Sequence, residues 1–288
     1  MAIAFSVGIG CQHEIDHAAE SDRNVPHTAV TTRNARSVAL EGRGLTLDVN
    51  RDTIRHESTG LIFHRIEVRP AAIMLAERYW PTDLGAFPKQ QCPEQFYISQ
   101  TEITTRQYEL IGGRREARLR SVFGWDATDG DLPLVDVPPI EMESALVGVG
   151  WALPTCLEWC LAQFSVCKDD AEYAEDIANA NWLGSEFFDH SRSGAFVVGL
   201  PSRRDAFPIM VSPSALVSRS QLLIGMLGNV SEVCMRTADD SRRFPALGGS
   251  WGTQISERSR SVPCLMTDAS YGASTVGCRP VIRVSKQK

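Results

Sequence analysis

The sequence lacks the long apolar run that a membrane-spanning helix needs, since no stretch reaches roughly 18 consecutive apolar residues. It also lacks a long basic stripe. The net charge is −6, and only short basic stretches such as RQYELIGGRREARLR occur. Binding to a phosphate backbone is therefore disfavoured.

What is present is typical of a globular protein with a sizeable core. The chain has 288 residues, of which 43% are hydrophobic and 22% charged. This length allows one or two domains. Residues 1–43 are polar with little periodicity and are predicted to be a tail or a lipoprotein-like leader with a linker. A single folded domain is predicted over residues 44–288.

The first residues, MAIAFSVGIGC, form a short apolar stretch that ends in Gly-Cys. This pattern resembles the end of a bacterial lipoprotein signal, in which Cys11 would become the lipidated first residue. It would place the protein in the periplasm or on a membrane through that anchor alone. The alternative is that these residues form an ordinary strand.

Within the tail, HEIDH places His13 and His17 four residues apart with Glu14 between them. This spacing matches the two-histidine zinc motif of metallopeptidases. The zinc chemistry needs a buried helix that lines a cleft, whereas this segment is polar. A solvated tail is therefore the favoured interpretation, with zinc peptidase as the alternative.

The chain has eight cysteines. Buried free thiols are the simpler interpretation, and one or two disulfides are the alternative. Cys156 and Cys160 lie four residues apart in LPTCLEWCLAQF and share one face of a predicted helix. Because no second cysteine pair of metal-site spacing exists, core packing is favoured over a metal site.

Alternation of apolar and polar residues predicts short strands in LTLDVN, GLIFHRIEVR, EQFYISQTEIT and the final GCRPVIRV. Two helices are predicted: one in TTRQYELIGG, capped by Thr104 or Thr105, and one in LPTCLEWCLAQF, entered at Pro154 or Thr155. DATDGDLPLVDVPPIEME is rich in Asp, Gly and Pro and is predicted to be loop, as are residues 180–215. The predicted class is α+β with short strands, two main helices and much irregular loop.

Four segments together resemble one family, the formylglycine-generating enzyme or sulfatase-modifying factor family, which has a C-type lectin-like fold. FYISQTEITTRQYELI resembles the family's F-x-I-x-x-x-E-V-T-x-x-Q-Y, and LPTCLEW resembles its R-L-P-T-E-A-E-W. GMLGNVSEV resembles D-M-x-G-N-V-x-E-W. LGGSW followed by GCRPVIRV resembles R-G-G-S-W followed by G-F-R. The four segments occur in the family's order, and the resemblance covers roughly residues 44–285.

The resemblance implies a calcium site, because the family's G-N-x-x-E segment contributes ligands to one. Carried over, Asn229 and Glu232 are candidate oxygen ligands for Ca²⁺. Two oxygens fall short of the six to eight that Ca²⁺ prefers, so carbonyls and waters would supply the rest. The alternative is that both side chains brace a tight turn, which the pair Gly228-Asn229 predicts.

The resemblance also implies where catalysis would occur. The family's enzyme oxidises a substrate cysteine with two of its own cysteines, which bind copper and follow the Gly-Gly-Ser-Trp turn. Those positions are Thr253 and Arg258 here, and neither side chain can ligate Cu(I). We therefore predict no catalytic residues, and a non-enzymatic function is favoured over an enzymatic one.

The predicted function is a non-catalytic binding or structural protein that recognises a protein partner or ligand and could be one subunit of an assembly. The predicted contact residues, all in the loop after the turn, are Trp251, Thr253, Gln254, Glu257, Arg258, Arg260 and Tyr271. One alternative is a copper-dependent oxidoreductase with relocated cysteines, for example Cys264 with another thiol. Another is a variable protein of a diversity-generating retroelement, whose variation would fall in this loop.

Overall fold

The computed structural model describes residues 44–48, 52–114, 130, 132–180, 223–236, 242–250, 253 and 261–283. The described residues form a mixed structure of short strands and helices, which confirms the α+β class. Cys11, His13 and His17 lie outside the described residues, so the predictions of a lipid anchor and of a zinc motif stay predictions. The proposed boundary at residue 44 also stays a prediction.

One sheet has five strands in the order β1-β2-β3-β4-β9, and every neighbouring pair is antiparallel. Its strands are β1 (Leu45–Asp48), β2 (Thr53–His56), β3 (Ile62–Glu67), β4 (Gln95–Ser99) and β9 (Val281–Ile282). The chain's alternating segments therefore form strands where the sequence predicts them, and the C-terminal strand β9 pairs with β4.

A second sheet has four strands in the order β7-β6-β5-β8. Its strands are β5 (Ser231–Val233), β6 (Arg243–Leu247), β7 (Cys264–Asp268) and β8 (Val276–Gly277). β5 and β8 are parallel, and the other pairs are antiparallel. Strands β5 and β6 lie in LLIGMLGNVSEVCMR and RFPALGGSW, which the sequence predicts to be strand-like or turn segments. Strands β2 and β7 are not among the predicted strands.

The described part of the chain has five α-helices rather than the two that the sequence predicts. They are α1 (Pro70–Arg78), α2 (Thr105–Leu110), α3 (Pro139–Gly148), α4 (Cys156–Val166) and α5 (Asp170–Asn179). Two 3₁₀ turns, Thr82–Leu84 and Lys89–Gln91, follow α1. The prediction of loop over residues 126–143 is wrong at its C-terminal end, because Pro139 occupies the first turn of α3 and Glu141 follows there. Proline is favoured at that position, since the first turn does not use its missing N–H.

The two predicted helices are confirmed, and each begins with a capping box. The Thr104 side chain accepts a hydrogen bond from the backbone N–H of Gln107, and the Gln107 side chain accepts one from the Thr104 backbone. Thr155 and Glu158 make the same reciprocal pair at the start of α4. Both caps satisfy amide donors that have no partner within the helix.

The protein has two hydrophobic cores, which lie on opposite faces of the sheets. The first core lies on the side of α1 and α4 and includes Phe96, Ile98, Trp159, Phe164 and Leu247. The second core lies on the side of α2 and α3 and includes Phe63, Tyr108, Met142, Trp151 and Phe244. Neighbouring residues of β6, such as Ala246 and Leu247, thus contribute to opposite cores, as alternation along a strand requires.

Among the described residues, no helix combines the length and the apolar character that crossing a membrane requires.

Candidate functional site

A fully buried ion pair lies between the two sheets. Arg279, which follows β8, donates from Nε to both Glu232 oxygens at 2.9 Å and from Nη2 to Oε1 at 2.7 Å. Neither side chain is exposed to solvent. A charge-assisted, forked pair of this kind is strong, and it holds β5 against the chain that enters β9.

Arg279 also binds backbone carbonyls of two other segments. Its Nη1 donates to the carbonyls of Ser99 and Gln100 at 3.0 and 2.7 Å, and its Nη2 donates to the carbonyl of Ile224 at 2.7 Å. A guanidinium has five N–H donors. All five are therefore used by Glu232 and these three carbonyls.

A second buried carboxyl, Glu102, lies beside this pair without a donor from the guanidinium. The distance from Arg279 Nη2 to Glu102 Oε2 is 3.9 Å, and Oε2 has no hydrogen-bond partner. The other oxygen, Oε1, accepts a hydrogen bond from Asn229 Nδ2 at 3.0 Å. Burial, only partly opposed by Arg279, raises the pKa of Glu102 to about 7.

The four segments that carry the family resemblance meet at this cluster. Trp159 of α4 donates from its indole Nε1 to Glu232 Oε2 at 2.6 Å. Gly248 lies so close to the indole that an added Cβ would be 2.9 Å from Cζ2 of Trp159 and 2.4 Å from the carbonyl oxygen of Met226. The motif residues thus form one interlocked centre of the fold.

The same segments make a second ion pair at the start of α4. Arg283, after β9, donates from Nε and Nη2 to the two oxygens of Glu158 at 2.7 and 2.6 Å. Glu158 also completes the cap on Thr155. The Arg283 Nη2 further donates to the carbonyl of Leu153 at 3.0 Å. The C-terminal strand is therefore tied to the helix entry.

We tested whether Asn229 and Glu232 fit a calcium ion. Both are buried, and Asn229 lies in the left-handed region with φ of 59° after Gly228, as the predicted tight turn requires. The positive guanidinium of Arg279 takes the position beside Glu232 that a cation would need. These two residues as arranged do not fit Ca²⁺, and we derive no role for the ion. Across the described residues, no group of three or more His, Cys, Asp or Glu side chains is arranged to hold a metal ion.

The turn at Gly248, Gly249 and Ser250 has the conformation that its glycines suggest, with φ of 89° and 69° at the two glycines. Thr253 closes it: its Oγ1 accepts from the Ser250 backbone N–H at 2.8 Å, and its own N–H donates to the Ser250 carbonyl at 2.8 Å. The Thr253 hydroxyl at the family's cysteine position is thus part of the turn.

The predicted contact residues divide into two groups. Trp251, Gln254, Glu257, Arg258 and Arg260 lie outside the described residues. Tyr271 is described, and its side chain is 68% exposed. The prediction that it shares one loop with the residues that follow the turn is wrong, because strand β7 (Cys264–Asp268) lies between them.

The backbone around Tyr271 is held by hydrogen bonds at both ends. Asp268 Oδ1 accepts from the backbone N–H and the hydroxyl of Ser270 at 2.8 and 2.6 Å. The N–H of Ile140 donates to the carbonyl of Ala269. Gly272 packs so tightly that an added Cβ would lie 2.4 Å from the carbonyl carbon of Asp136. An exposed aromatic ring therefore projects from a loop whose backbone is fixed.

The seven described cysteines are free. Cys278 is buried in the second core and Cys160 in the first, as expected for core residues. Cys156, Cys234 and Cys264 also contact the first core, and Cys156 and Cys264 are partly exposed. Burial raises the pKa of the Cys264 thiol to about 12. The copper enzyme with relocated cysteines stays a prediction.

Sequence reasoning did not single out Arg279, Glu102, Glu158 or Arg283 as functional residues. The signal for all four was present, because each lies within a segment that carries the family resemblance.

No family model matches the chain, and no curated protein matches it. Solved structures are similar at low identity. The crystal structure of CarF is 16% identical with a TM-score of 0.39, and the match covers 67% of this chain and 88% of that chain. The Treponema denticola variable protein 1 is 14% identical with a TM-score of 0.41, covering 66% and 85%. TM-scores below 0.5 do not establish a shared fold, so the C-type lectin-like fold stays a prediction.

Proposed function

We propose that the chain is a non-catalytic binding protein on a C-type lectin-like scaffold of the formylglycine-generating type. It recognises a protein partner through the loops that follow the Gly248–Ser250 turn. The observation that carries this proposal is Tyr271, an exposed aromatic side chain on a loop with a fixed backbone.

The physical argument rests on the cost of ordering an interface. Binding restricts side chains and loops, and this cost falls when the backbone is already held in place. Tyrosine combines a large apolar ring with a polar hydroxyl and is enriched among residues that dominate binding energies. Ile140, which is 44% exposed, lies next to this loop through its bond to Ala269 and adds apolar surface.

The absence of catalysis is proposed from the residues at the family's cysteine positions. Thr253 uses its hydroxyl inside the turn, and Arg258 carries a positive charge that does not ligate Cu(I). The buried ionic cluster of Glu102, Glu232 and Arg279 is fully shielded from solvent and serves the fold.

The test is affinity capture from the native cell with wild-type, Tyr271→Ala and Arg258→Ala baits, followed by a binding measurement on the purified partner. We expect each substitution to weaken binding at least about tenfold while the unfolding midpoint stays unchanged. Met74→Ala is the matched control, because Met74 is 63% exposed on α1 and is not part of the loop. Equal capture by all four baits would show that neither the loop with Arg258 nor the loop with Tyr271 is the interface.

A further inference from the structure

Strand alternation places two cysteines on the face of the second sheet that packs against α4. Glu232 lies on this face, because Trp159 of α4 binds it. Cys234 is two residues further, and its N–H continues the ladder to the carbonyl of Pro245 at 2.7 Å, so it points to the same side. Cys264 pairs with Leu247, which pairs with Glu232, so Cys264 also lies on this face.

Helix α4 presents two more cysteines to the same region. Cys156 is its first residue and Cys160 lies one turn later. The backbones of the two segments are joined next to these cysteines, since the N–H of Met235 donates to the carbonyl of Pro154 at 2.7 Å. Cys234 Sγ donates to the Glu232 carbonyl at 3.8 Å, and Cys156 lies close enough to hydrogen-bond with the Cys234 thiol and raise its pKa. Cys160 and Cys264 interact with Cys156 only electrostatically.

We propose that Cys156 and Cys234 form a thiol pair that reacts with a low-molecular-weight disulfide and closes into an intramolecular disulfide between α4 and the end of β5. Cys156 is partly exposed and is accessible to the small disulfide, whereas Cys234 is buried. This difference in exposure sets the order of the two steps.

In the first step Cys156 loses its proton, and its sulfur attacks one sulfur of the small disulfide. A mixed disulfide on Cys156 forms, and the released thiolate takes up the proton. In the second step Cys234 loses its proton and attacks the Cys156 sulfur, which releases the second small thiol. The two protein thiols are oxidised by two electrons, and one small disulfide is reduced to two thiols.

Burial, together with the contacts to Cys156, Cys160 and Glu232, raises the pKa of the Cys234 thiol well above its ordinary value. Only a thiolate attacks a disulfide. The second step is therefore slow at neutral pH, and the experiment is best done at mildly alkaline pH.

The test treats the folded full-length chain with oxidised glutathione, blocks the remaining thiols under denaturing conditions and maps disulfides by mass spectrometry. Cleavage after glutamate cuts at Glu143, Glu158, Glu232 and Glu257, so residues 144–158 and 233–257 each carry one of the two cysteines and no other. We expect these two peptides to be linked and the number of free thiols to fall by two per chain.

Two variants separate this pair from its neighbours. Cys264→Ser should still form the link, because Cys264 is not the bonded partner. Cys156→Ser should form no link and should leave Cys234 unmodified, because the buried Cys234 thiol does not reach the small disulfide. A link to Cys160 or Cys264, a mixed disulfide that persists on Cys156, or no reaction would each overturn the proposal.

Discussion

The Glu232 carboxylate receives three hydrogen bonds from Arg279, at 2.9, 2.9 and 2.7 Å, where neither side chain is exposed to solvent. The two residues lie 47 positions apart in the chain and join the two sheets. Removing one partner of such a pair leaves an uncompensated buried charge, which is far more costly than removing both.

We therefore expect Arg279→Met to lower the free energy of unfolding by about 3–5 kcal/mol, measured by urea denaturation. The substitution also leaves three backbone carbonyls without their donor. The double variant Glu232→Gln with Arg279→Met should recover part of this loss, because no charge is then buried alone.

Lys89→Ala is the matched control for loss of an ion pair. Lys89 and Glu77 are about half exposed or more, and exposed pairs contribute about 0–1 kcal/mol. If Arg279→Met cost no more than Lys89→Ala, the buried pair would not hold the sheets together.

The raised pKa of Glu102 leads us to expect a specific dependence of protein stability on pH. Burial raises its pKa from 4.5 to about 7, so the folded protein keeps a proton that the unfolded chain releases. Stability from this carboxyl is complete below the unfolded pKa and is lost as pH rises through about 7. The groups that face it are Arg279, Glu232 and Cys278.

Glu102→Gln cannot ionise, so its stability relative to wild type should rise by about 3 kcal/mol between about pH 4.5 and about pH 7 and then level off. Urea denaturation at a series of pH values measures this difference. Glu67→Gln is the control for replacing a glutamate by glutamine, because its side chain is 59% exposed rather than buried. A pH-independent difference for Glu102→Gln would contradict a protonated Glu102.

Much of the architecture was predictable from local patterns. Helices α2 and α4 were predicted with Thr104 or Thr105 and Pro154 or Thr155 as their first residues, because threonine caps and an initial proline are local signals. The structure selects Thr104 and Thr155 as the caps. Helix α3 was missed, since the Pro138–Pro139 pair that starts it is also typical of loops.

The buried cluster was not predictable in the same way. No local sequence pattern shows that Arg279 donates all five N–H groups to one carboxylate and three backbone carbonyls. None shows either that the Glu102 carboxyl lies beside this guanidinium without a hydrogen bond from it. The meeting of Cys156 with Cys234 likewise depends on how α4 packs against the second sheet. Such contacts are set by tertiary packing, which a single sequence does not contain.

Gly248 and Gly112 have nearly the same φ but different surroundings. Substituting each by alanine therefore distinguishes the energetic cost of backbone strain from that of steric overlap. Gly248 has φ of 89°, and an added Cβ would lie 2.4 Å from the carbonyl oxygen of Met226. Gly112 has φ of 86°, and nothing lies within 4 Å of its added Cβ. Gly112→Ala should lower the free energy of unfolding by about 1–2 kcal/mol, the cost of the left-handed conformation.

Gly248→Ala should cost at least about 2 kcal/mol more than Gly112→Ala, since the backbone of Met226 must move away from the new methyl group. Urea denaturation of both variants checks this, and Trp159 fluorescence should shift only in Gly248→Ala, because its indole lies against that glycine. Equal losses in the two variants would show that the close packing of the turn is not required.

The cap at Thr155 supports a prediction about the start of α4. Its hydroxyl accepts from the Glu158 N–H at 3.0 Å and donates to Glu158 Oε2 at 3.1 Å, and Arg283 binds the same carboxylate. Thr155→Ala should therefore lower the free energy of unfolding by about 1–2 kcal/mol. Thr155→Ser keeps the hydroxyl and should stay within about 0.5 kcal/mol of wild type. Hydrogen exchange of the Glu158 amide provides a local measurement, because this amide loses its acceptor only in Thr155→Ala. Equal exchange in the two variants would mean that the hydroxyl does not cap the helix.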